Sequence, residues 1–567
     1  MQKNFIEEEI SRLIKESVIQ LKKEFPNLPS GPVEIQLEIP KIREHGDSCT
    51  NIAMRLSGLA GQRPVDFASR IASVLEENLK KSGLKGAVKK IEVKPPGFIN
   101  FWFSEEVFYN ILKEIDESGE DFGRIDTGKG AKVLVEFVSA NPTGPLTIAH
   151  ARQAAFGGSL ANILQLCGYK VTREYYINDE GVQMSILADS VLARYLELLK
   201  QESAFPENGY KGLYIYDIAR AIEEKYKAKF IKEDKDRKAF FLKFSCDWIM
   251  DTIRKDMDDF GVAFDVWYSQ AKLAKSGKVE KELAALKGNG FIYDSEGASW
   301  LKSTQFGDDK DRVVIKSDGT YTYLAPDIAY HKDKFNRGFD RLIDIWGPDH
   351  HGYIPRMKAA IQALGFNKNS LSVIIIQLAT LFREGKPVSM STRQGEFITL
   401  RELIDEVGRD AGRFFFLMRK SDSHLDFDLE LAKSQTSQNP VYYVQYAHAR
   451  ICSILETAGL VIHNRRGGLN LPYGSLVLLK EKEELDLIKL LSQYPYTLKM
   501  CASSLEPHGL VVYLQELASS FHYFYDKHRV ISDDADLTRA RIFLVNCTRI
   551  VLANGLKLLG VSAPQKM

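Results

Sequence analysis

Apolar positions recur at helical spacing over residues 4–25, which predicts an amphipathic helix at the start of the chain. The period then drops to two. VEIQLEIP (33–40) alternates as a strand does, and KKIEVKPPGFINFWFS (89–104) reads as strand, turn and strand. Between them RPVDFASRIASVLEENLKKSG (63–83) returns to helical spacing and ends at a glycine. These elements predict a small α+β unit ending near Glu120, where ESGEDFGRIDTGKG (117–130) is glycine-rich and charged, as a linker is.

A different pattern follows. AKVLVEFV (131–138) is apolar on both faces, the mark of a strand buried in a parallel sheet. A loop, a helical stretch (149–167) and the strand-like YKVTREYYI (169–177) complete the beginning of a doubly wound α/β fold. Residues 186–290 are charged and mainly helical, and predict an insertion. Strand-like segments return at RVVIKS (312–317), RLIDIW (341–346) and LSVIIIQLA (371–379). From Leu400 onward the spacing is almost wholly helical, with Asn439 and Pro440 as N-cap and first helical residue of 439–458. Stretches 485–505, 510–528 and 536–560 complete an all-α bundle. The expected architecture is therefore multidomain α/β: 1–120 as an N-terminal α+β domain, 121–400 as an α/β domain with its insertion, and 401–567 as the bundle.

Composition sharpens this. A chain of 567 residues exceeds one ordinary core. With 44% hydrophobic and 27% charged residues it reads as a soluble globular protein and not a disordered one. The formal net charge is +1, so any polyanion must be met by local basic clusters. The six cysteines include no CxxC pair, which predicts reduced thiols, no zinc site and no disulfide framework. The N-terminus lacks an apolar signal core and no later run approaches a membrane span, so cytoplasm is expected.

The candidate chemistry is spread along the chain. NPTGPLTIAHAR (141–152) follows the first sheet strand, where ligands of such sheets bind. A helix starting near Ile148 aims its free N–H groups at an anion, with His150 and Arg152 as further donors. In isolation the same segment reads equally as a capped turn. Glu136, inside VLVEFV, needs a partner if buried, either a fixed Lys or Arg or a cationic substrate group. Tyr323 and Asp327, four apart beside Pro326, suit a guanidinium or merely complement a helix dipole. WGPDHHGYIPRM (346–357) offers Gly347, Asp349 and His350 to a ribose, and SMSTRQGEFITL (389–400) offers hydroxyls and Arg393 to phosphate. The bundle interleaves Tyr442, Tyr443, Tyr446, His448 and Arg450 with FHYFYDKHR (521–529), a pattern that suits unpaired bases or, for most of the aromatics, a core.

Taken in order, VEFVSANPTGPLTIAHAR, GYKVTREYYINDEGVQ, FGDDKDRVVIKSDGTYTYLAPDIAYHKDKFNRGFD, WGPDHHGY, VSMSTRQGEFITL, NPVYYVQYAHARI and the closing LKLLGVSAPQKM resemble the blocks of the arginyl-tRNA synthetases, class I aminoacyl-tRNA synthetases. The resemblance covers essentially the whole chain. It implies a Rossmann-like catalytic domain, an N-terminal additional domain that contacts the tRNA elbow, and a helical anticodon-binding domain. It implies ATP-dependent activation of L-arginine and transfer to the 3′-terminal adenosine of tRNA(Arg), with Mg2+ accompanying ATP, no zinc, no membrane and a monomer. Residue by residue, it assigns arginine to Glu136, Ser139, Asn141, Tyr323, Asp327 and Gln377, and ATP to Gly144, His150, Gly347, Asp349, His350 and Met390. It assigns catalysis to Thr147, His150, Ser391 and Arg393, and tRNA contact to Tyr442, Tyr446, Arg450 and Met567.

The sequence departs from the family pattern in both signatures. The HIGH-like block is TIAH, with Thr147 and Ala149 in place of histidine and glycine. The KMSKS-like block is SMSTR, with Ser389 and Thr392 in place of both lysines, and Gly144 stands where some members carry an upstream lysine. Arg152, Lys386 and Arg393 are the candidates to supply the missing charge, Arg393 first. Two rival readings follow: a catalytically impaired tRNA-binding paralogue, and a small-molecule adenylating ligase of the same fold.

Overall fold

The computed structural model describes residues 3–567 except 30, 32, 41, 233–234, 389–397 and 461–472. A five-stranded sheet organises its centre, in the order Leu371–Ile375, Arg341–Trp346, Lys132–Glu136, Lys170–Ile177 and Val266–Ser269. Every neighbouring pair is parallel. The first strand in sequence lies in the middle. Successive strands build outward on one side, and then the chain crosses to the other. The switch point therefore lies between the carboxyl ends of Lys132–Glu136 and Arg341–Trp346, where ligands of open α/β sheets bind.

Several expected elements change place. Residues 33–40 form no strand, and only Glu38 makes a bridge, to Cys49. The helical segment 186–290 is not wholly an insertion, because Val266–Ser269 within it is the sheet's edge strand. Arg312–Ile315 joins a separate antiparallel sheet with Ile292–Ser295 and Ala298–Leu301. The apolar run 371–379 breaks after Ile375, and Ala379–Arg383 pairs instead with Leu425–Asp428. That pairing ties Leu425–Asp428, beyond Leu400, to a strand that directly follows the central sheet. Segment 485–505 divides into Lys482–Leu491 and Tyr494–Ser504, with Pro495 in the first turn of the second helix.

The N-terminal unit and the bundle meet through Glu105–Ser118, which packs on Ala535–Leu559. Cys547 donates its thiol to the Leu112 carbonyl, and Tyr109 its hydroxyl to that of Leu479. Ala535–Leu559 corrects the reading that no run approaches a membrane span. Its length and mean hydropathy meet that criterion, but most of its apolar stretch is buried inside the bundle. All six cysteines are unpaired, and five are buried.

Candidate active site

A cavity of about 1290 Å³ opens at the switch point. Its wall is made first by the end of the Lys132–Glu136 strand. Directly after it, Val138 and Ser139 take positive φ values of 69° and 41°. A β-branched residue there is strained, and such strain concentrates at functional sites. The kink turns Ser139 back, so that its hydroxyl donates to Glu136 Oε1 (3.0 Å) and accepts from the Tyr176 amide (3.1 Å). The helix that follows crosses the strand end closely, since a Cβ on Gly157 would lie 2.3 Å from the Phe137 ring.

Thr147 is the N-cap of that helix, Ile148–Leu166. Its amide donates to Nδ1 of His150 (3.1 Å), and its hydroxyl lies 3.1 Å from the same nitrogen. An Nδ1 that accepts leaves Nε2 to carry the proton. Burial pushes the His150 pKa down to about 4, so the imidazole is neutral at pH 7. The Leu400 amide donates to the Leu146 carbonyl, and Thr147 bridges Thr399. The first signature turn is thus fastened to the end of the second signature segment.

The floor is charged. On one face of the sheet Asp344, Glu136 and Glu174 stand in register on three adjacent strands. All three are buried. The helix Leu324–Asn336 lies over them and presents Asp327, Tyr330, His331 and Lys334 at i, i+3, i+4 and i+7, one helical face. Lys334 Nζ reaches Glu136 (2.5 Å) and Asp344 (2.9 Å), and His331 Nε2 meets Asp344 (2.8 Å). Arg337 and the Tyr330 hydroxyl donate to Glu174. Glu136 therefore has a fixed cationic partner, one of the two alternatives its sequence left open. Burial and the neighbouring carboxylates push its pKa up against the pull of Lys334. Lys334 and His331 hold Asp344 down to about 2 against its desolvation.

Asp327 is different. Among the described residues the only side chain that hydrogen-bonds its carboxylate is Tyr353, whose hydroxyl donates to it (2.7 Å), while His331 Nδ1 meets its backbone carbonyl (2.8 Å). No described cation pairs with it, and burial raises its pKa. This is a carboxylate on a cavity wall with room for a positively charged group. Tyr323, four residues before it, is 80% exposed at the cavity mouth.

Glu136, Ser139, Asn141, His150, Tyr323, Asp327, Gly347, Asp349, His350 and Gln377 all line this one cavity. Asn141 donates to Gln183 (2.8 Å), and the exposed Asp349 lies 3.4 Å from His350. Thr147 and Gly144 do not line the cavity. The Tyr214 hydroxyl donates to the Thr143 carbonyl (2.8 Å) and would lie 3.0 Å from a Cβ at Gly144. A lysine at 144 therefore needs Tyr214 to move. Met390, Ser391 and Arg393 lie outside the described residues, as does Ser389.

Arg152 is not a phosphate donor. It is buried, and its guanidinium donates to the carbonyls of Gln377, Leu378, Lys420 and Ser423 at 2.6–3.3 Å. Lys386 is exposed and does not line the cavity. The sequence reading missed Lys334, His331, Asp344, Tyr353 and Arg356. His331 and Lys334 had a signal in their i+4 and i+7 spacing from Asp327, one helical face, whereas Asp344, Tyr353 and Arg356 lie on other elements and had none.

On the bundle, Tyr442 and Tyr446 stack at 6.0 Å with 8° between their planes. Arg450 donates to the Tyr446 hydroxyl (2.8 Å) and lies over both the Tyr446 and Tyr525 rings. Met567 is half exposed and shares a second cavity with Arg450 and Tyr525. His448, Phe521 and Phe524 are buried, and His448 Nδ1 meets the Pro564 carbonyl (2.8 Å), so these belong to the core.

Comparison with known proteins agrees with this architecture. Three family profiles match in succession: the arginyl tRNA synthetase N terminal domain over 6–103, the tRNA synthetases class I (R) catalytic domain over 113–450, and the DALR anticodon binding domain over 444–567. The arginine–tRNA ligase of Citrifermentans bemidjiense is 50% identical over 545 residues, covering 95% of this chain and 96% of that one. The Bacillus subtilis arginine–tRNA ligase is 45% identical over 570 residues, covering 100% and 99%. A Campylobacter jejuni crystal structure described as an arginyl tRNA synthetase superposes with a TM-score of 0.75 at 35% identity, over 82% of this chain and all of that one. The Thermus thermophilus arginyl-tRNA synthetase shares the fold, with a TM-score of 0.75 at 20% identity over 98% of this chain and 100% of that one. The reading as a non-charging paralogue finds no support among these relatives. With its N-terminal domain, its class I catalytic sheet and its DALR bundle in family order, the chain belongs to the arginyl-tRNA synthetases, the ATP-dependent arginine–tRNA ligases.

Proposed function

We propose that this enzyme binds L-arginine with its guanidinium against Asp327 and beneath Tyr323, and with its amino and carboxylate ends near Glu136, Ser139 and Asn141. The observation that carries the reading is Asp327, a half-buried carboxylate with a phenol donor, no ion-pair partner among the described residues and an open cavity before it. A guanidinium supplies the missing charge and a planar pair of donors. Gln377 stands on the same wall. ATP enters as its magnesium complex, the metal being part of the substrate. Gly347, Asp349 and His350 face its adenosine, and His150 donates from Nε2 toward its phosphates at the helix N-terminus.

Arginine's carboxylate then attacks the α-phosphorus in line and pyrophosphate leaves; the 3′-terminal adenosine hydroxyl of tRNA(Arg) next attacks the arginyl carbonyl, the acyl–phosphate bond breaks and AMP leaves. The chain's part is to position these groups and stabilise charge, with no covalent enzyme intermediate. Tyr442, Tyr446, Arg450 and Met567 form the anticodon-facing surface, and residues 1–120 contact the tRNA elbow. Thr147 acts through His150, and Ser391 and Arg393 belong to the second signature loop. The enzyme works as a cytoplasmic monomer.

The test is Asp327→Asn. It keeps the shape and removes the charge, so the KM for arginine rises roughly ten- to hundredfold while the KM values for ATP and tRNA stay in place. An unchanged arginine KM overturns the assignment.

A further inference from the structure

The cavity must accept two polyanions, ATP and the end of a tRNA, yet its wall is rich in carboxylates. Among the described residues three Lys or Arg side chains line it: Lys310, Arg312 and Arg356. Arg312 is held by Asp308 (2.8 and 2.9 Å) and paired with Asp309. Lys310 is exposed at the mouth. Arg356 has no ion-pair partner among the described residues, yet it is not loose. It sits in the first turn of Ile354–Ala363, its guanidinium 4.9 Å from the centre of the Tyr353 ring. Among the described residues its buried Nε has no hydrogen-bond partner, and no carboxylate pairs with it. A buried donor left unsatisfied costs stability and calls for an explanation. Two further cations near the site are engaged within the protein, Arg152 by four carbonyls and Lys334 by two carboxylates.

We propose that Arg356 binds a substrate phosphate oxygen in the active-site cavity, supplying fixed positive charge that this chain's signature segments lack at Thr147, Ser389, Thr392 and Gly144. The proposal rests on reading the cavity as the arginine–ATP site. A guanidinium stacked on an aromatic ring is pre-organised, and its fork fits two phosphate oxygens. The helix that carries it packs against the Ser303–Phe306 turn, and Gln362 of that helix donates to the Phe306 carbonyl (3.0 Å). Arg356 is thereby fixed on the side of the mouth built by the small antiparallel sheet. The phosphate belongs either to ATP or to the 3′ end of the tRNA, and the two sources separate kinetically.

The experiment compares Arg356→Gln, Arg356→Lys and wild type in arginine charging, varying ATP, tRNA and arginine in turn, with thermal unfolding as the check on folding. Arg356→Gln raises the KM for ATP or for tRNA roughly ten- to hundredfold at unchanged arginine KM, and Arg356→Lys recovers part of the loss. If the source is tRNA, the slope of log KM for tRNA against log salt also falls by about 0.7, the value for one single-strand phosphate contact. That change is one a purely structural role would not produce. Unchanged ATP and tRNA KM values, or an effect confined to arginine, overturn the proposal. Asp327→Asn measured alongside keeps the readings apart: if it leaves the arginine KM unmoved, the assignment of the cavity itself is wrong.

Discussion

Glu136 and Asp344 stand side by side on neighbouring parallel strands and share one ammonium, Lys334, at 2.5 and 2.9 Å. Like charges in register repel, and the lysine makes their burial possible. Replacing it with methionine keeps the volume and leaves two uncompensated carboxylates at the base of the site. Lys334→Met is expected to lower stability by about 3–5 kcal/mol in urea unfolding, the usual consequence of orphaning a buried charge. A loss under 1 kcal/mol would mean that the network is dispensable.

Asp344 gives the same network a pH signature. Its folded pKa, about 2, lies below the ordinary carboxylate value of 3.8. The sign follows: the unfolded chain takes up this proton first as pH falls, so the stabilisation is complete above about pH 4 and is lost as pH drops toward 2. The shift corresponds to about 2 kcal/mol. Asp344→Asn is expected to flatten stability against pH in that window, measured by urea unfolding at stepped pH. A wild-type curve already flat there would contradict it.

His150 answers the question that Thr147 poses. A threonine in place of the first signature histidine does not carry a missing charge. It caps the helix, and its amide occupies Nδ1 of His150, fixing a neutral imidazole. With a folded pKa near 4 against an ordinary 6.5, His150 takes no proton above about pH 5. His150→Asn is expected to reduce charging by roughly a hundredfold, as loss of a transition-state donor does, without moving the acid limb of the pH–rate profile. An ionisation between pH 6 and 7 present in wild type and absent in the variant would sink the neutral-imidazole assignment.

Much of this was legible in the sequence because it is local. The strand Lys132–Glu136, its loop and the helix starting at Ile148 follow from periodicity and capping. Glu136 stands out as a charge in an apolar run. The choice of its partner was not legible, because Lys334 comes from a helix 198 residues further on and only the sheet register brings the two together. Arg152 shows the converse. Its place in the first turn of a helix at the switch point suggested phosphate, but three-dimensional packing turned it toward the carbonyls of two distant loops. The strand at Val266–Ser269 was hidden because an edge strand of four half-buried residues has no strong alternation.

Arg152 is therefore expected to behave as a structural residue. Arg152→Lys keeps the charge but cannot reach four carbonyls in two loops. It should cost about 2–4 kcal/mol of stability, since hydrogen bonds to charged groups contribute about 1.5–3 kcal/mol each and only some are lost. The KM for ATP should stay within twofold of wild type at temperatures where the variant is folded. A selective rise in that KM without loss of stability would restore the phosphate role.

The aromatic surface of the bundle separates contact from core. Tyr442 and Tyr446 stack on each other with Arg450 beside them, partly exposed, whereas His448 on the same helix is buried against Pro564. Stacking of an unpaired base on such a ring contributes about 1–3 kcal/mol. Tyr446→Ala is expected to raise the KM for tRNA roughly ten- to hundredfold with arginine and ATP KM values unchanged and little loss of stability. His448→Ala is expected to do the reverse, lowering the melting temperature and leaving tRNA binding by the folded fraction intact. Measuring charging kinetics and thermal unfolding for both variants decides the matter. If Tyr446→Ala unfolds the bundle while His448→Ala selectively weakens tRNA binding, the surface has been assigned to the wrong face of the helix.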